Sequence, residues 1–117
     1  MSITLAAVTL DCEDAAGTAQ FWSAALGRPT DPDPSEHFAS IGMDGGESNA
    51  WLFLKVPEPR TVKDRMHIDF VSDDREAEVA RLIELGATRV HDQDEAGFHW
   101  TTLQDPFGNE FCIADSH

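Results

Sequence analysis

AVTLDCED (Ala7–Asp14) and HIDFVSDD (His67–Asp74) decide how this chain folds. Laid side by side, Val8 and Leu10 fall on Ile68 and Phe70, two residues apart in each case. Apolar residues at that period mark a strand with one face turned to a core. Each segment closes on acidic residues of the kind that cap a helix N-terminus, Glu13 and Asp14 in one and Asp73 and Asp74 in the other. The chain therefore contains an internal repeat, and the repeat sets the architecture.

Outward from these segments, a helix is expected in both halves. Ala15, Ala19, Trp22 and Leu26 recur at helical spacing, with Phe21 and Ala25 widening the stripe. Val79, Leu82, Ile83 and Gly86 do the same in the second half. Both helices run into Leu-Gly, at Leu26-Gly27 and Leu85-Gly86, where glycine supplies the left-handed residue that closes a helix. Strands follow. HFASIG (His37–Gly42) leads through the turn MDGGES (Met43–Ser48) to AWLFLKV (Ala50–Val56), and FHWTTLQ (Phe98–Gln104) leads through DPFGN (Asp105–Asn109) to EFCIAD (Glu110–Asp115). Proline presets one backbone angle of such turns and glycine permits the reversed one.

The order is strand, helix and about three strands, twice over. Module one spans 1–56 and module two 66–117, and the proline-containing 57–65 is a linker. Neither half is large enough to fold comfortably alone, so a single domain of 117 residues with a shared core is expected.

Twenty-two acidic residues against eight basic ones give a formal charge of −14. Such a surface repels phosphate backbones, which argues against nucleic acid, and it attracts cationic ligands. No apolar run approaches the ~20 residues of a membrane span. The N-terminus lacks the basic start and cleavage site of a secretory signal. The two cysteines, Cys12 and Cys112, are expected to stay reduced, and the protein to be cytoplasmic. Lys55, Arg60, Lys63 and Arg65 concentrate basic charge around the linker, a feature suited to docking a partner or a second subunit.

Strand alternation also sorts the candidate functional residues. His67 and Asp69 alternate with Met66, Ile68 and Phe70, and Glu110 and Cys112 alternate with Phe111 and Ile113. The apolar sets should face a helix and the polar sets the opposite side. His67 has three readings: a buried histidine bonded to Glu110 or a backbone carbonyl, an acid/base or ligand contact, or a metal ligand. Cys112 reads as a small buried side chain rather than a nucleophile. Trp22 lies on the helical stripe and belongs to the core. Trp51 and Trp100 lie on strands, where either face is open to them, and His99 precedes Trp100 directly. His91 and His117 read as solvent-exposed. No phosphate-cradling glycine loop, nucleophile elbow or HExxH is present.

Four segments carry a family resemblance: LDCEDAAGTAQFWSAALG (Leu10–Gly27), VPEPRTVKDRMHIDF (Val56–Phe70), ELGATRVHDQDEAGFHW (Glu84–Trp100) and DPFGNEFCIA (Asp105–Ala114). In this order the chain resembles the glyoxalase/bleomycin-resistance/dioxygenase group, the vicinal oxygen chelate superfamily, in its glyoxalase-like domain branch. The resemblance implies an α+β fold of two tandem βαβββ modules forming a half-barrel around a central cavity, often in a homodimer. Metal-using members draw up to four ligands, two from each module, and others hold a drug without metal. Carried over by position, the ligands fall at Ala7, within Trp51–Leu54, at His67, and at Cys112 where glutamate is usual. Ala7 and Trp51–Leu54 offer no ligand atom. His67, Asp69, Glu110 and Cys112 make an improvised set, but residues two apart on a strand stand about 7 Å apart. The expectation is thus no metal and no other cofactor. The chain should bind or sequester an aromatic or cationic metabolite through Trp51, His67, Asp69, His99, Trp100, Glu110 and Cys112. The alternative is an enzyme of lyase, isomerase or dioxygenase type, with His67 as acid/base or metal ligand and Glu110 assisting.

Overall fold

The computed structural model describes residues 5–44, 49–57, 67–95 and 97–115. The linker from 58 on, most of the MDGGES turn and His117 lie outside them. The chain divides into two compact units, Met1–Pro59 and Arg60–His117. Its architecture is α+β, with one helix and one mixed sheet in each unit. Among the described residues no helix is long and apolar enough to cross a membrane.

In the first unit, β1 (Ala7–Cys12) leads into α1 (Ala15–Leu26), followed by β2 (Phe38–Ile41) and β3 (Ala50–Lys55). The strands lie in the order β1-β3-β2, with β1 parallel and β2 antiparallel to β3. The expected third strand after the helix is reduced to a single bridge, Thr30 to Ile41. The sequence explains this. Pro29, Pro32 and Pro34 interrupt the segment, and proline has no N–H to give to a ladder. Asp31 N–H does reach Ser40 O at 2.9 Å, and there the pairing ends.

The α1 stripe is buried through Ala15, Thr18, Ala19, Phe21 and Trp22. Trp22 packs on Trp51 with ring centroids 4.8 Å apart, and Phe53 continues the aromatic row from Trp51 at 6.4 Å. Asp14 occupies the N-cap position, but its side chain makes no capping bond. The Ala15 N–H is instead taken by Glu36 O at 2.9 Å, a carbonyl of the returning chain. Gly27 closes the helix in the left-handed region, at φ 67°.

The second unit keeps the full order: β4 (Ile68–Ser72), α2 (Arg75–Leu85), β5 (Thr88–Glu95), β6 (Phe98–Gln104) and β7 (Glu110–Asp115). Its sheet runs β4-β7-β6-β5, with β4 and β7 parallel. Here the acidic cap works as expected, because Asp74 accepts from Ala77 N–H at 3.1 Å. Val79 and Leu82 are buried, whereas Ile83 is exposed. The buried spacing is Arg75, Val79, Leu82, so Ile83, one residue further round, lies off that face. Gly86 is held at φ 123°, where any side chain is strained, and a Cβ there would press on the Pro106 ring at 3.2 Å.

The DPFGN turn is a structural device. Asp105 is buried, and its Oδ1 accepts from the Phe107 and Asn109 N–H groups at 2.9 Å each. Asn109 Nδ2 donates to Oδ2 at 2.9 Å, so both carboxylate oxygens are satisfied within the turn.

Trp51 therefore belongs to the helix-facing core. Trp51→Ala should lower the unfolding free energy by about 3–5 kcal/mol, the usual cost of emptying a large aromatic site. Leu52→Ala, on the opposite face of β3, should cost less; urea denaturation of the two variants checks the contrast.

Candidate functional site

Pairing in the second sheet fixes which side chains share a face. Asp69 stands opposite Cys112, Cys112 opposite Thr102, Glu110 opposite Gln104, and Ala114 opposite Trp100. Ile68, Phe70, Phe111, Ile113 and Leu103 point the other way and form the layer beneath α2, where Phe70 and Phe111 meet edge to face at 6.0 Å. Period-two alternation thus delivers Asp69, Glu110, Cys112, Thr102 and Trp100 to the face turned away from α2.

His67 joins them from just before β4. Its Nδ1 lies 3.0 Å from Asp69 Oδ1, and its side chain is 45% exposed. The reading of His67 as a buried histidine paired with Glu110 or a carbonyl is corrected here: the ring is accessible and its partner is Asp69. Burial grades across the group. Cys112 is only 7% exposed, while the Asp69 side chain keeps 64% of its surface. The Cys112 sulfur lies 3.3 Å from Thr102 Oγ1. Burial pushes the Cys112 thiol above its ordinary value, the Thr102 contact opposes this, and the negative charges of Asp69 and Glu110 add to the rise. Cys112 is therefore a protonated, poorly nucleophilic thiol in the free protein. Both cysteines are buried and unbridged.

One ligand atom each from His67, Asp69 and Cys112 lies within 4.8 Å of the others. The 7 Å spacing argument fails for this pair. His67 precedes the first residue of β4, so the pleat does not hold it apart from Asp69, and the two side chains lean together. Glu110 shares the face, two residues before Cys112, but is not a member of this group.

Two other expected site residues lie elsewhere. Trp51 sits under α1, as described above. His99 is on the α2 side of its sheet, one residue out of phase with Trp100. There the buried Arg75 sends Nη2 to within 3.1 Å of each ring nitrogen of His99, Nε to Asp115 Oδ1 at 3.0 Å, and Nη1 to Thr101 Oγ1 at 2.6 Å. Thr101 in turn donates to Asp92 Oδ1 at 2.6 Å. Sequence reasoning missed Arg75. Its place on the Val79–Leu82 stripe was the available signal.

In the first unit, the face turned from α1 carries Ala7, Thr9, Leu52 and Leu54 on its two paired strands, together with Asp11. Neither implied metal-ligand position there holds a donor: Ala7 has none, and Trp51–Leu54 are apolar. A four-ligand site shared between modules does not fit these residues.

Comparison with known proteins places this geometry. The family model for the glyoxalase-like domain matches residues 7–114, and the chain belongs to that family, within the vicinal oxygen chelate superfamily. Among solved structures it is similar to a glyoxalase/bleomycin resistance protein/dioxygenase family enzyme from Burkholderia phytofirmans PsJN, at 19% identity and TM-score 0.74, over 97% of this chain and 98% of that one. It is also similar to a lactoylglutathione lyase from Agrobacterium tumefaciens, at 16% identity and TM-score 0.67, over 99% and 95%. A third similar structure is a glyoxalase/bleomycin resistance protein from Albidiferax ferrireducens T118, at 16% identity and TM-score 0.68, over 96% and 98%. No curated protein matches the sequence significantly. At these identities the structural likeness establishes the fold and selects no chemistry.

Two predictions follow from the polar network under α2. Thr101→Val keeps the shape but removes the hydroxyl that links Arg75 Nη1 to Asp92 Oδ1, and should cost about 1–3 kcal/mol in urea unfolding. The Thr101 hydroxyl holds the Asp92 carboxyl below the ordinary aspartate value against desolvation, with Arg89, Arg75 and His99 adding to the effect. A carboxyl lowered on folding contributes stability that is present above its unfolded pKa and is lost as pH falls through the folded one. The denaturation midpoint should accordingly drop on acidification below about pH 4, and Asp92→Asn should flatten that drop.

Proposed function

We propose that this protein binds a small aromatic or cationic metabolite on the α2-distal face of its second sheet, and sequesters or senses it without a resident cofactor. The observation that carries this reading is the grouping on one face of an exposed His67–Asp69 pair, a buried Thr102–Cys112 floor and the half-buried indole of Trp100. An aromatic wall with few polar anchors is the usual composition of a small-molecule site. Indole faces and carboxylates both favour cations, and the overall charge of −14 draws them in. As in many members of its family, the chain is proposed to work as a homodimer, and its unbridged cysteines suit a cytoplasmic setting.

A second reading is favoured by one specific contact. Asp69 engages His67 Nδ1, which orients the ring and directs Nε2 to the chemistry, the arrangement of a general acid/base. An enzyme of lyase, isomerase or dioxygenase type would use His67 in this way, with Asp69 rather than Glu110 as its orienting partner.

Titration with cationic and aromatic compounds in chelator-containing buffer, followed by tryptophan fluorescence and calorimetry, tests the binding reading. His67→Ala and Trp100→Ala should each weaken binding at least about tenfold, which is about 1.4 kcal/mol, with the fold intact by circular dichroism. Unchanged affinity in both variants would remove the site from this face. Turnover abolished by His67→Ala with binding preserved would select the enzyme.

A further inference from the structure

We infer that the α2-distal face of the second sheet takes an arylalkylammonium ion, its ring held over Ala114 between Val71 and Trp100 and its charge placed beside Asp69. The inference rests on the reading above in putting binding on this face, and it names the chemical class that the face selects. The furrow it describes is built entirely within the second unit.

Strand register sets the floor and the walls. β7 runs between β4 and β6, and past Glu110 its residues on this face are small, Cys112 and Ala114. Val71 pairs with Ala114 and Ala114 with Trp100, so one row across the sheet reads Val71, Ala114, Trp100. The neighbouring row begins Asp69, Cys112. Small residues on the middle strand leave a furrow along β7. Cys112, 7% exposed, lies at its base, and Val71, 71% exposed, stands on its rim. An exposed β-branched side chain gains from apolar cover. The two walls are two strand spacings apart, about 9–10 Å. A planar ring in contact on both faces takes up about 7–8 Å between the atoms that flank it. The furrow is therefore one ring wide, and it is too narrow for a helix about 10–12 Å across.

Spacing and charge set the rest of the ligand. Neighbouring residues of one face stand about 7 Å apart along a strand. A cation beside Asp69 thus lies about 7 Å from a ring over Ala114, a gap that a chain of two or three carbons bridges. The Asp69 side chain is 64% exposed and open to such a cation. Glu110 shares the face, and its charge together with that of Asp69 acts on the Cys112 thiol, so the potential at this end of the furrow is negative. β4, β6 and β7 carry no lysine or arginine. Nothing on these strands competes for the carboxylate of Asp69 as a fixed cation would, and nothing on them welcomes an anionic guest.

Phenylpropylammonium is the probe, titrated calorimetrically into the full-length, untagged protein. Phenylpropanol, which keeps the ring and loses the charge, and propylammonium, which keeps the charge and loses the ring, should each bind at least about tenfold more weakly. Phenylpropionate, with the charge reversed, should not bind. Ala114→Leu raises the floor of the furrow and should weaken the probe at least about tenfold, with Ala114→Val giving a smaller loss and both folds intact by circular dichroism. Asp69→Asn, an exposed change that leaves the core alone, should erase the preference for the ammonium over the alcohol. Equal affinity for ammonium and alcohol, a preference that survives Asp69→Asn, or unchanged affinity in a folded Ala114→Leu would each overturn the inference. If another aromatic or cationic compound binds in a manner that depends on His67 and Trp100 while phenylpropylammonium does not bind, the furrow inference falls alone. If no compound's binding responds to either of those variants, the reading of the face falls and takes the inference with it.

Discussion

The parallel pairing of β4 with β7 is the constraint on which the second module depends. It sets Ile68 beside Phe111 and Phe70 beside Ile113 under α2, and by the same register it sets Asp69 beside Cys112 on the other side. A slip of β4 by one residue would turn its set over, burying the Asp69 carboxylate under the helix and exposing Phe70. The hydrophobic layer and the polar group are thus one decision made twice. The apolar side supplies the free energy that holds the register, and the polar side inherits an arrangement that its own weak, exposed contacts could not impose.

The polar residues beneath α2 show what that layer tolerates. Arg75 is 7% exposed yet lies in a helix-to-sheet interface. A buried guanidinium is costly unless its donors are met. Here Asp115, Thr101 and Glu76 meet them, with His99 alongside. Among the described residues no buried side-chain nitrogen or oxygen lacks a partner. His99 is spent in this network. One residue of strand phase separates it from Trp100, and that phase is enough to send the two neighbours to opposite faces.

Much of this was legible in the sequence. The repeated strand–helix unit, the glycine stops, the DPFGN hairpin and the core role of Trp22 all rest on local periodicity and turn chemistry, which a single chain displays. So did the placing of Asp69, Glu110 and Cys112 on one face. What failed depends on contacts that local pattern does not encode. The three prolines between α1 and β2 were visible, but their effect, a strand shrunk to one bridge, depends on which carbonyls the segment would have met. Trp51 was ambiguous because an aromatic residue on a short strand suits either face, and only the position of Trp22 across from it decides. His67 stays open among three readings, one of them buried, because its exposure and its Asp69 partner depend on its lying just before the strand begins, which alternation alone does not show.

That last position bears on how the two modules differ. Ala7 and His67 are the equivalent residues of the repeat, at the entry to the first strand of each unit. In the first unit Ala7 lies within β1, paired with Ala50, so any side chain there is held to the pleat. In the second, the ladder begins one residue later, at Ile68 opposite Phe111. Shortening the strand by that residue releases His67 to bend back upon Asp69, and a pair of side chains that strand geometry would keep apart comes within 3.0 Å. The chemistry of the second module therefore rests as much on where its strand starts as on which residues it carries. Restoring a donor at position 7 of the first module would not reproduce the group, because the backbone there stays in register.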